Sequence, residues 1–406
     1  MKQKRPFPYV KITEKQEKSV RRGHPWIYED EITETSGDLA DGGITDVFSA
    51  KGKYLGSGFL SLHSKIRVRI LDRNANETFS DDFFRRRVRY ALAYRYDVMD
   101  ETDCMRLVHG EADGLCGLTV DKYNDILVSE VLSFGMEGKK EVIYRALIDE
   151  LSQYGVTVKG IYERNESKLR EKEGLEKRRG WFDFGEPFPE STEFEITENG
   201  IRYRIDVEQG QKTGFFLDQK YNRRTLRPLA KGKTVLDTCT HIGSFALNAA
   251  NFGAAHVTAA DISEEAIRSA EENAERNGFT DRMDFVCADV FELLETYKKE
   301  KKHYDVIVLD PPAFTKSRKT FASARLGYLR INRLAMEVLE RGGYLLTASC
   351  SHFMPRSAFE EMLQEAASLA GVNLRIIERR GAAMDHPVNP AIPETEYLKF
   401  HVLQIV

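Results

Sequence analysis

Apolar residues near the N-terminus fall into short runs separated by glycine-rich turns. In Ile66–Leu71 apolar and charged side chains alternate, which is the period of a strand with one buried face. Similar runs predict strands at Tyr9–Ile12, Ile44–Ser49 and Tyr54–Leu60. We therefore predict a small β-barrel domain over residues 1–75.

A different pattern follows over residues 76–190. Apolar side chains recur every fourth residue within Asp81–Asp97, which predicts a helix, and a second helix is predicted at Lys139–Tyr154. Strand-like runs at Leu118–Tyr123 and Ile126–Leu132 lie between these helices. This order predicts a central α+β domain, in which the charge-rich stretch Arg164–Arg179 is interpreted as an exposed loop or helix.

The remaining residues, 191–406, begin with a predicted hairpin over Glu193–Val207, whose turn is Asn199-Gly200. From Lys233 onward, short apolar strands alternate with helices. The predicted strands are Thr234–Asp237, His256–Asp261, Met283–Cys287, Tyr304–Leu309 and Gly343–Ser349. The predicted helices are Ser244–Phe252, Ser263–Asn277, Val290–Lys299 and Ala322–Arg341, and two closing edge strands are Arg375–Ile377 and Tyr397–Ile405. This alternation predicts an α/β domain with a doubly wound, Rossmann-like sheet.

Composition narrows the class of protein. The 406 residues are 41% hydrophobic and 31% charged, as in ordinary globular proteins, and no apolar run is long enough for a membrane span. Five scattered cysteines without a CxxC pair indicate neither a metal site nor a disulfide framework, so we expect a reducing, cytoplasmic location. The N-terminus lacks the apolar segment of a secretory signal. Net charge is −4, but residues 1–24 carry eight Lys or Arg against two Glu. Such a basic cluster is either a polyanion-binding surface or an ordinary solvated surface.

The carboxyl ends of the predicted parallel strands are where a doubly wound sheet binds its ligand. Asp237 ends the first strand and is followed by a tight turn through Gly243 and Ser244 into a helix. Asp261, followed by Ile262, ends the second and can accept hydrogen bonds from ribose hydroxyls. After the third, Asp289 precedes Val290 and can either bind an adenine amino group or begin a helix.

The fourth and fifth strand ends carry the candidate catalytic residues. Asp310-Pro311-Pro312 is a rigid string, since two prolines exclude a continued strand or helix. Cys350 follows the fifth strand at the same edge and is the predicted nucleophile. Cys239 is a weaker rival, and His241 and His352 are either bases or polar loop residues. Three other cysteines are interpreted as structural: Cys104, Cys116 and Cys287.

Together these residues resemble a known family. The series Asp237, Gly243, Asp261, Asp289, Asp310-Pro311-Pro312 and Ser349-Cys350-Ser351 is similar to class I S-adenosylmethionine-dependent methyltransferases. More closely, the chain resembles bacterial large-subunit ribosomal RNA (cytosine-carbon-5) methyltransferases of the RlmI type. Gly23–Tyr28 is similar to the start of their PUA domain, Gly114–Asp121 to their central domain, and Glu208–Gln219 to the loop opening their catalytic domain. The chain departs from relatives at His241-Ile242-Gly243, where they carry a Tyr-Thr-Gly type turn.

The resemblance implies methylation of carbon 5 of cytosine in 23S ribosomal RNA. Cys350 and Asp310 would be catalytic, and S-adenosylmethionine would be the cofactor. The implied cofactor contacts are Asp237, Gly243, Ser244, Asp261, Ile262, Asp289, Val290 and Asp310. The implied substrate contacts are Pro311, Pro312, Phe314, Lys316, Lys212, Phe216 and Gln219. A PUA-type barrel would bind the RNA, no membrane partner is expected, and a homodimer is implied.

Three other functions remain open from the residues. In an RNA base nitrogen methyltransferase acting on guanine or adenine, Cys350 would be incidental. A non-catalytic RNA-binding protein of ribosome assembly would retain the methyltransferase fold as a vestige. An oxidoreductase is disfavoured because the dinucleotide fingerprint GxGxxG is missing after the first strand.

Overall fold

The protein is described here by a computed structural model that covers residues 5–185, 187–315 and 318–406. The chain divides into two compact units. Residues up to 194, 205–217 and 384–395 form the first unit, and residues 195–204, 218–383 and 396–406 form the second. Each unit is described by itself below.

The N-terminal part of the first unit is a six-stranded sheet with one helix. Alternation places the apolar side chains of the strands on one face, where eight of them and Val20 of the helix form a core that includes Val10, Val47 and Val68. The strand order is β2-β6-β5-β4-β1-β3. The elements are β1 (Tyr9–Ile12), α1 (Glu14–Arg21), β2 (Trp26–Tyr28), β3 (Ile32–Ser36), β4 (Ile44–Ser49), β5 (Tyr54–Leu60) and β6 (Ile66–Asp72).

The central part of the first unit is a five-stranded sheet with the order β11-β10-β9-β8-β7. The buried face of α2 carries Phe84, Val88 and Leu92 at the four-residue spacing that predicted this helix, together with Phe83. The elements are α2 (Asp81–Val98), β7 (Cys104–His109), β8 (Leu118–Tyr123), β9 (Ile126–Val131), α3 (Phe134–Glu137), α4 (Lys140–Gln153), β10 (Gly160–Asn165), α5 (Lys168–Lys172) and β11 (Arg178–Trp181).

The interpretation of residues 164–179 as an exposed loop or helix is correct for the middle of the stretch, where α5 lies and most residues are exposed, but not for its two ends. Both ends of this stretch belong to strands β10 and β11. Arg170 is buried because its guanidinium donates to Glu137 and to the Val131 carbonyl. Glu173 is buried because it receives two hydrogen bonds from Arg69, at 2.7 and 3.0 Å. Charge density therefore indicated exposure correctly for most of the stretch, but not for Arg170 and Glu173, whose charges are paired and buried.

The second unit contains a seven-stranded sheet with the order β16-β15-β14-β17-β18-β20-β19. Strands β14 to β18 are parallel to one another, whereas β20 runs antiparallel between β18 and β19. The strands are β14 (Thr234–Asp237), β15 (His256–Asp261), β16 (Met283–Cys287), β17 (Tyr304–Leu309), β18 (Leu339–Ser349), β19 (Leu374–Arg380) and β20 (Lys399–Ile405). A separate hairpin, β12 (Glu193–Glu198) and β13 (Ile201–Asp206), turns at Asn199-Gly200, both with positive φ.

Helices connect the parallel strands. The apolar faces of α9, α10 and α11 share one core cluster with Leu309 and Leu345 of the sheet. The helices are α6 (Lys220–Arg223), α7 (Ser244–Asn251), α8 (Glu264–Asn277), α9 (Val290–Glu300), α10 (Phe321–Val338) and α11 (Arg356–Ala370). Helix α11 was missed by the sequence analysis, although Phe359, Met362 and Leu363 have helical spacing. The predicted doubly wound α/β class is confirmed, and no helix of the described residues is long and apolar enough to cross a membrane.

Candidate active site

The turn after β14 is built around the carboxylate of Asp237, which is fully buried. Its Oδ2 accepts hydrogen bonds from the Thr240 hydroxyl at 2.7 Å and from the Ala246 amide at 3.0 Å. The two bonds join the strand end to the first turn of α7, whose N-cap residue is Gly243 and so has no side chain to cap the helix. Amide groups at that helix start remain available to a ligand.

Two residues of this turn take left-handed backbone conformations, His241 at φ 53° and Gly243 at φ 89°. The His241 amide donates to Asp261 Oδ2 at 2.9 Å, which joins the ends of β14 and β15. A Cβ atom at Gly243 would lie 3.1 Å from Leu247 Cδ1 and 3.3 Å from Ala270 Cβ. Glycine is therefore required here by backbone conformation and by close packing together.

Three carboxylates share this site, and their like charges make the ionised form of Asp237 less favourable. Burial raises the pKa of Asp237 to about 7 against the lowering effect of its two hydrogen bonds, and Asp310 and Asp261 raise it further. Asp237 Oδ1 is buried and accepts no hydrogen bond from the part of the chain that the structure describes. A buried acceptor among carboxylates suits a ligand that brings donors and positive charge.

Asp261 and Ile262 follow β15 at the same edge of the sheet. Asp261 Oδ1 accepts from the Ser263 amide at 3.1 Å, and Ser263 is the N-cap of α8, since its hydroxyl accepts from the Ala266 amide. The Ile262 side chain is 69% exposed, an unusual position for a large apolar residue beside a strand end. An apolar surface next to a carboxylate suits a nucleoside, which combines a flat ring with a ribose diol.

Asp289 begins a helix, one of the two functions that the sequence left open. Its Oδ1 accepts from the amides of Phe291 at 2.8 Å and Glu292 at 3.2 Å, which makes Asp289 the N-cap of α9. Val290 is the first residue of that helix and is half-buried. The cap engages one carboxylate oxygen, so the predicted adenine contact stays a prediction.

Asp310 is held by a chain of hydrogen bonds that the sequence did not predict. Gln219 Nε2 donates to Asp310 Oδ2 at 2.9 Å, and Asn222 Nδ2 donates to Gln219 Oε1 at 2.6 Å. Arg380 Nε in turn donates to Asn222 Oδ1 at 3.0 Å. Gln219 and Asn222 are buried, so the orientation of Asp310 is fixed from behind.

The residues after Asp310 differ in exposure. Pro311 is buried and Pro312 is exposed. The ring of Phe314 packs against Tyr328 at a centroid distance of 4.5 Å and against Phe291 at 6.3 Å, so it belongs to the border of the core. Lys316, predicted as a substrate contact, lies outside the described residues.

Cys350 is half-buried and directly follows β18, which pairs with β17 so that Leu309 and Thr347 are neighbours. The Tyr328 hydroxyl of α10 lies 3.0 Å from the hydroxyl of Ser351, the residue that follows Cys350. Lys399 of β20 donates to the Ser351 carbonyl at 2.6 Å. Cys350 and Asp310 therefore follow adjacent parallel strands at one edge of the sheet.

The rival nucleophile Cys239 has an unfavourable environment. Burial raises the pKa of the Cys239 thiol far above its usual range, and the negative charges of Asp237, Asp261 and Asp310 raise it further. A thiolate is thus disfavoured at Cys239. Cys104 and Cys116 are buried, as expected for structural cysteines, whereas Cys287 is exposed, so the structural interpretation was wrong for that residue.

Two predicted substrate residues belong to the first unit rather than to the sheet that carries Cys350. Lys212 has a φ of 53° and its Nζ lies 4.4 Å from the centroid of the Phe216 ring. Thr213, between them, donates to Asp121 Oδ2 at 2.5 Å. The loop is therefore braced by a buried carboxylate of the central sheet.

These observations fit S-adenosylmethionine, which carries a sulfonium, an ammonium, a ribose diol and an adenine ring. Asp237, whose buried Oδ1 receives no hydrogen bond within the described ranges, and Asp261 supply the acceptors that the cationic groups and the diol need. Gly243 lets the backbone approach a ligand, and Ile262 offers an apolar surface. The residues present therefore suit this cofactor.

Sequence reasoning missed three residues of the site, namely Tyr328, Asn222 and Lys399. A signal existed for Lys399, because it lies between Leu398 and Phe400 at the start of a mainly apolar strand. A charged residue in a strand pattern of this kind is rarely buried without a partner. No such signal marked Tyr328, which lies in the long helix α10, or Asn222, which lies in the four-residue helix α6.

Comparison with known proteins agrees with these features. A family model described as S-adenosylmethionine-dependent methyltransferase matches residues 171–395, and a PUA-like domain model matches residues 10–73. The chain is 38% identical over 401 residues to ribosomal RNA large subunit methyltransferase I of Aliivibrio fischeri (strain MJ11), covering 98% of this chain and 99% of that protein. It is 39% identical over 397 residues to the protein of the same name from Vibrio cholerae serotype O1 (strain ATCC 39541), covering 97% and 98%.

Solved structures show the same fold. SMU.776, a methyltransferase complexed with SAH, has a TM-score of 0.82 and 22% identity, with 98% of this chain and 99% of that chain covered. A methyltransferase from Streptococcus mutans has a TM-score of 0.80 with the same identity and coverage. The chain belongs to the family of S-adenosylmethionine-dependent methyltransferases that includes ribosomal RNA large subunit methyltransferase I, and its cofactor is S-adenosylmethionine.

Proposed function

We propose that the protein forms 5-methylcytosine in the 23S ribosomal RNA of the large subunit, through a covalent bond between Cys350 and the cytosine. One observation carries the proposal: Cys350 and Asp310 follow adjacent parallel strands at the edge where a doubly wound sheet binds its ligand. The names of the relatives supply the RNA class, since both are large-subunit ribosomal RNA methyltransferases.

A nucleophilic cysteine explains how carbon 5 can react. Carbon 5 of cytosine is too weak a nucleophile to accept a methyl group unaided. The Cys350 thiolate adds to carbon 6, which turns the ring into an enamine and makes carbon 5 nucleophilic. After methylation, carbon 5 loses its proton to a base and the C6–S bond breaks by β-elimination, which regenerates the thiolate.

Asp310 acts on the other edge of the base in this proposal. Addition of the thiolate places negative charge on the ring, and a proton at the ring nitrogen neutralises it. The Asp310 carboxylate accepts a hydrogen bond from that protonated edge, in an orientation fixed by Gln219. Pro311 and Pro312 keep the following backbone extended, so it cannot fold over the base.

The cofactor residues hold the methyl donor beside Cys350. When bound, S-adenosylmethionine supplies an electrophilic methyl group on a sulfonium. Asp261 and Ile262 bind the ribose and the adenine, and Asp289 with Val290 completes the adenine side. Asp237, Gly243 and Ser244 bind the amino-acid end at the start of α7.

The RNA-binding part of the proposal concerns the first unit. The PUA-like domain and the basic N-terminal residues contact phosphates, so RNA affinity falls with salt. The target cytosine leaves its stack to reach the sheet edge, at a cost of a few kcal/mol. Lys212 and Phe216 present a cation and a ring to RNA from their loop. Such a protein works where ribosomal RNA lies, in the cytoplasm.

The test is mass spectrometry of nucleosides from 23S ribosomal RNA fragments. RNA from cells lacking this gene is compared with RNA from the same cells carrying the wild type, Cys350→Ala or Cys239→Ala. We expect one 5-methylcytosine to be absent without the gene and to be restored by the wild type and by Cys239→Ala only.

Two other outcomes of this experiment would contradict the proposal. Restoration by Cys350→Ala would show that the nucleophile is assigned wrongly. A change in a methylated guanine or adenine instead would favour the nitrogen methyltransferase. The homodimer rests on resemblance alone and is tested by sedimentation equilibrium of the purified protein.

A further inference from the structure

A buried amine lies beside Cys350 and has no part in the mechanism above. Lys399 is the first residue of β20 and pairs with Ser349, the residue that precedes Cys350. Its side chain is buried, and only 3% of the residue is exposed. Burying an ammonium is costly unless hydrogen bonds and opposite charge compensate for the lost water.

Two carbonyl groups receive hydrogen bonds from this amine. Lys399 Nζ donates to the Ser351 carbonyl at 2.6 Å and to the Tyr397 carbonyl at 2.7 Å. The Tyr328 hydroxyl lies 3.0 Å from the Ser351 hydroxyl. The turn that contains Cys350 is therefore held from β20 through its backbone and from α10 through a side chain.

The charges around Lys399 come from three directions. Cys350 at the end of β18 and Glu396 before β20 favour the charged amine, whereas Arg356 at the start of α11 disfavours it. Burial lowers the pKa of Lys399 to about 8, so the amine is mainly charged at neutral pH and loses its proton as the pH rises through about 8. Of these groups, a Cys350 thiolate is the one that lies in the site.

We propose that Lys399 is a positioning residue for Cys350, which fixes the Ser349–Ser351 turn and stabilises the thiolate by its positive charge. The proposal deepens the proposed function, because it explains why Cys350 is reactive, and it rests on the catalytic role of Cys350. Cationic neighbours are a general means of activating a cysteine. The hydrogen bonds of Lys399 go to two backbone carbonyls, so it acts through Cys350.

A second series of hydrogen bonds links Lys399 to the residues that hold Asp310. The Tyr397 hydroxyl donates to Asp218 Oδ2 at 2.5 Å, and Tyr397 also supplies one of the carbonyls that Lys399 binds. Gln219, which follows Asp218 in the chain, donates a hydrogen bond to Asp310. The dipeptide Asp218-Gln219 is therefore joined to the turn that carries Cys350 and to the Asp310 carboxylate.

The test measures the rate at which iodoacetamide alkylates Cys350 in the full-length protein between pH 5 and 10. Peptide mass spectrometry separates Cys350 from Cys287, an exposed cysteine of the same unit that serves as internal reference. Lys399→Gln keeps an N–H donor but removes the charge, and Lys399→Arg keeps the charge. Lys122→Gln is the matched control, because Lys122 is also buried and donates to two carbonyls, of Thr102 and Asp103.

We expect Lys399→Gln to slow alkylation of Cys350 roughly tenfold at pH 7 and to move its pH profile upward by about one unit. Lys399→Arg and Lys122→Gln should keep the wild-type profile, and Cys287 should be unchanged throughout. An unchanged Cys350 profile in a folded Lys399→Gln variant would overturn the proposal. If that variant does not fold, the wild type decides, since a Cys350 profile equal to that of Cys287 would overturn it too.

This readout is independent of methylation. If Cys350→Ala remains active on RNA while Lys399→Gln slows alkylation, the proposed function fails and the influence of Lys399 on the thiol stands. If Cys350→Ala is inactive and Lys399→Gln changes nothing at the thiol, the inference fails and the proposed function stands.

Discussion

Gln219 Nε2 donates a hydrogen bond to Asp310 Oδ2 at 2.9 Å, although 91 positions separate the two residues in the chain. Gln219 ends the string Glu208–Gln219 that resembled a family loop, and Asp310 begins the Asp-Pro-Pro string. One hydrogen bond thus joins the last residue of the first string to the first residue of the second. Gln219 therefore supports the Asp310 carboxylate from behind.

We expect Gln219→Ala to lower kcat by roughly 10- to 100-fold with little effect on cofactor affinity, because Asp310 loses its orienting donor. Steady-state methylation of an RNA fragment, together with calorimetric binding of S-adenosylmethionine, separates the two effects. Gln404→Ala is the control, since Gln404 donates to the Gly342 carbonyl at the far end of the same sheet. A variant with wild-type kcat would show that the bond to Asp310 has no catalytic value.

Asp237 makes stability and cofactor binding depend on pH in opposite ways. Its folded-state pKa, about 7, lies above the ordinary value of 3.8, so the folded protein holds the extra proton and loses stability as pH rises from about 4 to 7. Asp237→Asn should therefore raise the free energy of unfolding at pH 8, on the order of 2–4 kcal/mol. Urea unfolding at pH 5 and pH 8 measures this gain, which should be less than half as large at pH 5, because the wild type has then lost only part of the stability.

The same proton should weaken the cofactor's binding, because a cationic ligand needs the ionised carboxylate. We expect the affinity for S-adenosylmethionine to fall about five- to tenfold between pH 8 and pH 6, and the dependence to vanish in Asp237→Asn. Calorimetry in two buffers of different ionisation enthalpy detects the proton that binding releases. Affinity that is equal at both pH values would contradict this role of Asp237.

Gly243→Ala and Gly278→Ala form a matched pair. Both glycines have positive φ, 89° and 71°, but a Cβ atom meets Leu247 and Ala270 at Gly243 and meets nothing at Gly278. We expect Gly278→Ala to cost about 1 kcal/mol of stability without changing cofactor affinity. Gly243→Ala should cost more stability and weaken cofactor binding at least tenfold. Equal effects of the two substitutions on cofactor affinity would refute a special role for the turn.

Asp289 allows the helix cap to be separated from the predicted adenine contact. Asp289→Ala removes the cap of α9 and should lower stability by about 1 kcal/mol, whereas Asp289→Asn caps equally well. The asparagine presents an amide donor where the carboxylate offers an acceptor, so we expect several-fold weaker binding of S-adenosylmethionine at full stability. Thermal unfolding and calorimetry decide, and unchanged affinity in Asp289→Asn would leave Asp289 with the cap alone.

The parallel sheet could be predicted because its strands are buried on both faces and read as short apolar runs. Thr234–Asp237, His256–Asp261 and Tyr304–Leu309 are found with the predicted bounds. Their ends then place Asp237, Asp261 and Asp310 at one edge by topology alone. The polar residues that follow these strands could therefore be predicted from the sequence as candidate site residues.

The supporting contacts could not be predicted, because they depend on pairs distant in sequence. Nothing near Gln219 indicates that it reaches Asp310, and nothing near Lys399 indicates Cys350. The last two strands in the chain, β19 and β20, enter the sheet in the order β18-β20-β19. Because β20 therefore pairs with β18, Lys399 lies opposite Ser349. Edge strands give weak sequence patterns, and β19 has exposed Ile376 and Ile377 where a buried strand would have a regular apolar run.

The most direct test of the central claim is covalent trapping on RNA that contains 5-fluorocytosine in place of cytosine. Fluorine at carbon 5 cannot leave as a proton does, so elimination is blocked after methylation and the enzyme stays bonded to carbon 6. With S-adenosylmethionine present, we predict a denaturation-resistant RNA adduct whose mass maps to the peptide containing Cys350, and none in Cys350→Ala. Methylation of this RNA without an adduct, or an adduct on Cys239, would contradict the mechanism.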